Sequence, residues 1–358
     1  MLKSHFDIHK DDDVEEEFEH EAVSHAHEEE EEHALPEVIS GPVRKLNRSE
    51  VSVRLGLLGK TAEADGYTYL KATCTDMNLT DITAIKYFKH LQFVDVSNNK
   101  LDLEALQAVT ELPHLLLIHA DKNILRSGAL KKMKYLQVII MNYNELTTVH
   151  DVFQPELSTL EVGYNKIRKI NFDSRMETIR CLDFRYNLIE DINGLNFPNL
   201  DSLYLAGNQI NSLIGLESCV NLRILHVRNN PIKLLNGFVP DLGRLQYVNL
   251  RNCKVSTLRQ VKKLKVLPSL ETLILKGCPY MGGTGEETPE VADEEENSEL
   301  RVEILAALPK LKKINKTVVT PEERAEAKEL ITQWIEDGAA DEEAEEEQQP
   351  EEHDNDDD

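Results

Sequence analysis

The 358-residue chain carries 40 Lys and Arg against 65 Asp and Glu, a formal net charge of −25. It has no run of 18 apolar residues, and residues 1–13 hold no apolar signal core, so neither a membrane span nor a secretory leader is expected. Five cysteines, an odd number with no paired clusters at the ends of the repeats described below, fit a reduced intracellular setting better than a disulfide-bonded secreted one.

The chain opens on residues 1–40, with 2 basic and 15 acidic residues. A segment so poor in apolar side chains repels itself and is expected to be a disordered tail. His20, His25, His27 and His33 stand there among glutamates. That composition allows weak divalent-metal binding, but a solvated tail is the plainer reading, and no metal site or cofactor is expected. Residues 41–69 are read as an N-terminal cap with an amphipathic helix over 47–58.

Residues 70–279 repeat the pattern L-x-x-L-x-L-x-x-N. The closing residue falls at Asn99, Asn123, Asn144, Asn165, Asn187, Asn208, Asn230, Cys253 and Cys278, at spacings of 24, 21, 21, 22, 21, 22, 23 and 25 residues. Period and pattern are the leucine-rich repeat signature. In one unit, Leu203 and Leu205 alternate on a short strand and point inward, and Leu200 joins them just before it. Asn208 turns the chain, and its amide is expected to bond the backbone of neighbouring coils. A later pair, Ile210 and Leu213, closes the coil. No coil buries its apolar face alone, so stacking supplies the core. Leu70, Thr73, Thr75 and Asn78 read as a degenerate tenth unit. The predicted fold class is an α/β leucine-rich repeat solenoid, with a curved parallel sheet on the concave face, short helices and turns on the convex face, and terminal caps.

Residues 280–299 carry 8 acidic residues and no basic ones, and read as a mobile insertion loop. Residues 300–319 read as a C-terminal cap. Thr320-Pro321-Glu322-Glu323 then starts a helix to about residue 336, with Thr320 as N-cap and Glu323 as the capping-box acid. Residues 337–358 are a second acidic tail. Residues 41–279 hold 31 basic and 23 acidic residues, so the tails hide a mildly basic body.

Counting from each strand leucine places three outward positions per strand on the concave face. Its N-terminal third is apolar, with Phe93, Leu117, Val138 and Ile140. Its C-terminal half is basic and aromatic, with Arg185, Tyr204, His226, Arg228, Tyr247, Arg251 and Lys276. Arg and Tyr favour interface anchors, and an exposed apolar patch marks a contact, so all eleven are candidate partner-binding residues. The plainer readings are cross-strand ion pairing, such as Asp183 with Arg185, and coverage of the patch by the chain's own N-terminal segment. No His/Asp/Ser or Cys/His set recurs at catalytic spacing, and Gly282-Gly283-Thr284-Gly285 lacks the Lys-Ser/Thr of a phosphate loop, so no enzyme is expected.

Four stretches go beyond the generic repeat: Leu79-Thr80-Asp81-Ile82, Leu91-Gln92-Phe93-Val94-Asp95-Val96-Ser97-Asn98-Asn99, Leu245-Gln246-Tyr247-Val248-Asn249-Leu250-Arg251-Asn252 and Pro321-Glu322-Glu323-Arg324-Ala325-Glu326-Ala327. In these, over about residues 50–335, the chain resembles the leucine-rich repeat-containing protein 23 family of the ciliary radial spoke. It departs from the pattern at Ile314-Asn315, where short-repeat caps usually carry Leu-Asp, and in the 280–299 insertion. The resemblance implies a structural scaffold of the third radial spoke. It would lie in the cytoplasm, within the axonemal cytoskeleton of motile cilia, hold other spoke proteins and support regulation of beating. Association with doublet microtubules would be indirect, or through the basic body, because acidic tails and acidic microtubule surfaces repel. The alternative is a soluble regulatory subunit or adaptor holding a phosphatase or other signalling enzyme on the concave face. Acidic tails argue against a nucleic-acid partner.

Overall fold

Each repeat folds as its spacing dictates: an inward leucine, an extended triplet, and a turn closed by asparagine. The computed structural model describes residues 42–286, 297–336 and 338. The repeat array lies within the unit that begins at Val43. Its strands form one 13-stranded sheet in chain order. Nine three-residue strands are its body: β3 Phe93–Asp95, β4 Leu117–His119, β5 Val138–Ile140, β6 Thr159–Glu161, β7 Cys181–Asp183, β8 Ser202–Tyr204, β9 Ile224–His226, β10 Tyr247–Asn249 and β11 Thr272–Ile274. All nine pair in parallel, and at each end the sheet is finished by an antiparallel hairpin. Leu203, Leu205, Ile210 and Leu213 are fully buried, as are their counterparts along the array, in one continuous apolar core. Full burial of each such side chain contributes about 2 kcal/mol.

The asparagines form a spine. Asn208 Nδ2 donates to the carbonyls of Phe184 and Leu205, both at 3.0 Å, while its Oδ1 accepts the Ile189 N–H at 3.0 Å. Each of those carbonyls is shared with a neighbouring asparagine: Asn187 also donates to Phe184 O, and Asn230 to Leu205 O. The same sharing runs back through Val162, Met141, Ala120 and Val96 to Asn99. Cys253 and Cys278 continue it with thiol contacts to Val227 O at 3.3 Å and Leu250 O at 3.0 Å. Burial pushes both thiols up, Cys278 to about 12, so both stay protonated donors at neutral pH. The residue before each closing position lies in the left-handed region, from Asn98 and Lys122 through Tyr143, Tyr164 and Tyr186 to Asn252 and Gly277.

The N-terminal end departs from the sequence reading in two ways. The expected helix over 47–58 stops early: α1 spans only Arg48–Ser52, capped by a reciprocal Asn47–Glu50 box, and β1 (Leu55–Lys60) follows. Gly56 and Gly59 disfavour helix by about 1 kcal/mol each, and antiparallel pairing with β2 (Tyr67–Thr73) satisfies the backbone instead. The first unit is also out of register by one residue. Ala72 stands opposite Val94, so Ala72 and Cys74 face the core and Thr73 sits beside Asp95. Asn78 is exposed, and Asn99 Oδ1 accepts from Met77 and Leu79. A one-residue slip exchanges the faces of every side chain, and the Asn78 spacing hid it.

Convex returns are short. They include α2 (Leu103–Leu106) and α3 (Leu258–Lys262). At the C-terminal end α4 (Ser298–Ala307) leads into the β12 (Lys313–Ile314) and β13 (Thr317–Val318) hairpin and then α5 (Pro321–Glu336). Asn315 Oδ1 accepts from Leu275 N at 2.7 Å and Lys276 N at 2.9 Å, so an amide oxygen fills the place where a carboxylate is usual. The Thr320–Glu323 capping box forms. The same Glu323 receives the buried Arg301 at 2.6 Å, and Arg301 also donates to Ile314 O, so one ion pair ties both cap helices to the last hairpin. The expected tails, 1–40 and 337–358, lie outside the described residues apart from Gly338, and so do 287–296 of the acidic insertion.

Asn208→Ala leaves the Ile189 N–H unpaired inside the array and interrupts the shared carbonyls. It should lower unfolding stability by about 3 kcal/mol, against about 1 kcal/mol for Cys253→Ala, where a weak thiol donor is lost. Urea denaturation of the two variants measures the difference.

Candidate functional site

Strand register fixes the concave face. Paired residues stack into rows: Phe93 beside Leu117 beside Val138, and Tyr204 beside His226. Backbone bonds just past the strands continue the rows, with Gly207 N on Arg228 O, Asn229 N on Arg251 O and Asn252 N on Lys276 O. The basic residues therefore follow one another at the strand spacing of about 4.8 Å.

In the C-terminal half the structure joins four of the expected residues in one stack. The Tyr204 and His226 rings lie 4.8 Å apart, the His226 and Tyr247 rings 4.8 Å apart, and the Arg185 guanidinium 5.8 Å from the Tyr204 ring. Arg185 also pairs with Asp183 at 2.8 Å. The ion pairing foreseen there is real, but it forms within one chain segment, two residues apart, rather than across strands. Arg228 and His226 are not open side chains: they are 6% and 8% exposed. Arg251, Tyr204 and Tyr247 are half-buried, and Lys276 is exposed.

In the N-terminal third, Phe93, Val138 and Ile140 are half-buried and Leu117 is buried. The apolar stripe does not stop at Phe93. Lys71 pairs with Phe93 and Tyr69 with Leu58, so alternation brings exposed Tyr69, Leu58 and Tyr67 onto the same side of the sheet. Tyr67-Thr68-Tyr69-Leu70-Lys71-Ala72 carries a strand alternation that would have revealed them.

Nor is this third purely apolar. His119 bridges two carboxylates, Asp95 at 3.4 Å and Asp121 at 3.0 Å. Burial pushes the His119 pKa down, but hydrogen bonds and charge from Asp121 and Asp95 outweigh it and raise it from 6.5 to about 10. Burial likewise pushes Asp95 up, but His119 and Ser97 overcome it and hold it at about 2. At neutral pH the group is carboxylate, imidazolium, carboxylate. Asn142 N–H donates to Asp121 at 2.6 Å, and Gly163 N–H to Asn142 at 2.7 Å, which carries the polar chain along the face.

A third row borders the face. Tyr143, Tyr164 and Tyr186 stack at 4.1 and 4.7 Å, and the Lys122 ammonium stands 5.5 Å from the Tyr143 ring. The signal was a Tyr-Asn pair closing three successive repeats. Among the described residues no group of three or more His, Cys, Asp or Glu could hold a metal ion, and no helix is long and apolar enough to cross a membrane. The histidine-rich segment weighed for weak metal binding lies outside the described residues.

A family model of leucine-rich repeats (two copies) matches residues 198–240. Leucine-rich repeat-containing protein 23 of Bos taurus is 37% identical over 279 residues, covering 77% of each chain. The protein of the same name from Homo sapiens is 38% identical over 276 residues and 76% of each chain. Among solved structures, an internalin (inlF) from Listeria monocytogenes aligns at 17% identity over 71% of this chain and 84% of that one, with a TM-score of 0.44.

The His119 bridge makes stability depend on pH. Its folded pKa is raised, so its contribution is complete below about 6.5 and is lost as pH climbs toward about 10. Asp95 is lowered, so its share is complete above about 4 and is lost as pH falls toward about 2. The melting-temperature deficit of His119→Gln should therefore be largest between these limits and shrink above neutrality. A deficit unchanged from pH 6 to pH 10 would contradict the bridge.

Proposed function

The chain belongs to the leucine-rich repeat-containing protein 23 family, and from that premise we propose that it is a non-enzymatic scaffold of motile cilia. In this reading it is built into the third radial spoke, within the axonemal cytoskeleton, where it holds neighbouring spoke proteins and supports regulation of beating. The observation that carries the binding role is the Arg185–Tyr204–His226–Tyr247 stack, with which the basic half of the face begins. Rings held in register present flat apolar area with little side-chain freedom left to lose, and guanidinium and phenol groups at their edges supply directional bonds. These are the properties of interface anchors. The half-buried apolar side chains of the N-terminal third, extended by Tyr69 and Leu58, give a second area of contact.

A scaffold of this kind stays with the cytoskeleton when membrane and soluble contents are removed. An epitope-tagged chain expressed in a ciliated cell should remain in the axoneme through detergent and moderate salt. The double variant Arg251→Glu, Lys276→Glu should lose at least half of that retention; these two positions are chosen because Arg228 is buried and reversing its charge would disturb the fold. Complete release with the soluble cytoplasm, together with copurifying phosphatase activity, would favour an enzyme-regulating adaptor and overturn the scaffold.

A further inference from the structure

Charge is not spread evenly over the concave face. In its outward columns, strands β3–β7 and the residues that follow them carry four carboxylates: Asp95, Asp121, Glu161 and Asp183. The two cations among them are held by those same carboxylates, His119 by Asp95 and Asp121, and Arg185 by Asp183. Lys122 lies outside these columns, on the turn row over Tyr143. From β8 to β11 the columns carry Arg228, Arg251 and Lys276 and no carboxylate at all. The sign changes at the Asp183–Arg185 pair, and the Tyr204–His226–Tyr247 rings begin where it changes.

From this arrangement we infer that the concave face takes one extended polypeptide segment whose charge reverses along its length, basic over β3–β7 and acidic over β8–β11. Nine strands at about 4.8 Å span roughly 40 Å, which an extended chain crosses in about twelve residues. Such a segment would set its acidic part against Arg251 and Lys276, its middle on the stacked rings, and its basic part beside Asp121 and Glu161. A nucleic acid fits the basic half alone, because its phosphates keep one sign and would meet the carboxylates beyond Arg185. Like-charge juxtaposition discriminates strongly against a wrong partner. The inference rests on the concave face being the partner-binding surface and adds the chemistry of what it binds.

Fluorescence anisotropy on the full-length chain at low salt tests it with three labelled probes. One is a peptide of about twelve residues with its lysines in one block and its glutamates in the other. The second has the same residues with the charges alternating, and the third is a single-stranded RNA of matching length. The block peptide should bind at least roughly tenfold more tightly than the alternating one. Glu161→Lys and Lys276→Glu, at positions not fully buried, should each weaken the block peptide several-fold while leaving the melting temperature unchanged. Equal binding of the two peptides, tighter binding of the RNA, or indifference to both substitutions would overturn the inference. Axonemal retention tests the scaffold reading by itself, so failure here and failure there are told apart.

Discussion

The structure depends on a shared carbonyl. One inward-facing residue per coil turns its C=O toward the loop end of the array, and two successive asparagines donate to it, one from its own coil and one from the next. The asparagine oxygen meanwhile accepts an N–H from the preceding coil. A coil of twenty-odd residues has too little regular structure to satisfy its own backbone, and unpaired groups in this interior would cost roughly 1–3 kcal/mol each. The spine meets that need in the same way at each step from Asn99 to Asn230, with thiols continuing it at Cys253 and Cys278, and so sets the distance and angle between coils. It also forces the residue before each asparagine into the left-handed region, which favours Gly and Asn but here also holds Lys122 and three tyrosines.

The surface follows from the spine. Strands locked in register repeat their outward side chains at a spacing near the thickness of stacked rings, so rings one strand apart meet at 4.1–4.8 Å. On the inner face, residues as polar as Arg228, His226 and Asp183 are nearly covered while still belonging to the face. Covered ion pairs and stacked rings give up little conformational freedom on binding, so the face is prepared for a partner before one arrives.

Much of this was legible in the sequence, for a definite reason. A period near 22 with alternating leucines fixes both the inward positions and, by subtraction, the outward columns; each of the nine central strands holds the first inward residue between two outward ones and ends just before the second, as Ser202–Tyr204 ends before Leu205. Asn208 and its counterparts could be given their hydrogen-bonding role from position alone. What the period could not supply was interaction between columns. The Asp95–His119–Asp121 bridge joins one coil to the next, and nothing in the spacing marks Arg228 as buried. The N-terminal hairpin was misread because Leu55, Leu57 and Leu58 satisfy a helical stripe as well as a strand, and because Asn78 kept the spacing of a spine residue while the register had shifted by one. At the other end, Thr320-Pro321-Glu322-Glu323 was unambiguous, since a capping box is a local device and needs no distant partner.

If the inner face of the array holds a neighbouring protein within the axoneme, a crosslinker placed on that face must capture it. The most direct test replaces Tyr247, at the end of the ring stack, with a photo-crosslinking phenylalanine analogue in a ciliated cell, followed by irradiation and isolation of axonemes. The expected result is a discrete crosslinked species in the detergent-insoluble axoneme, joining this chain to one other protein. A chain retained in the axoneme without any adduct at this position, or an adduct confined to the soluble fraction, would contradict it.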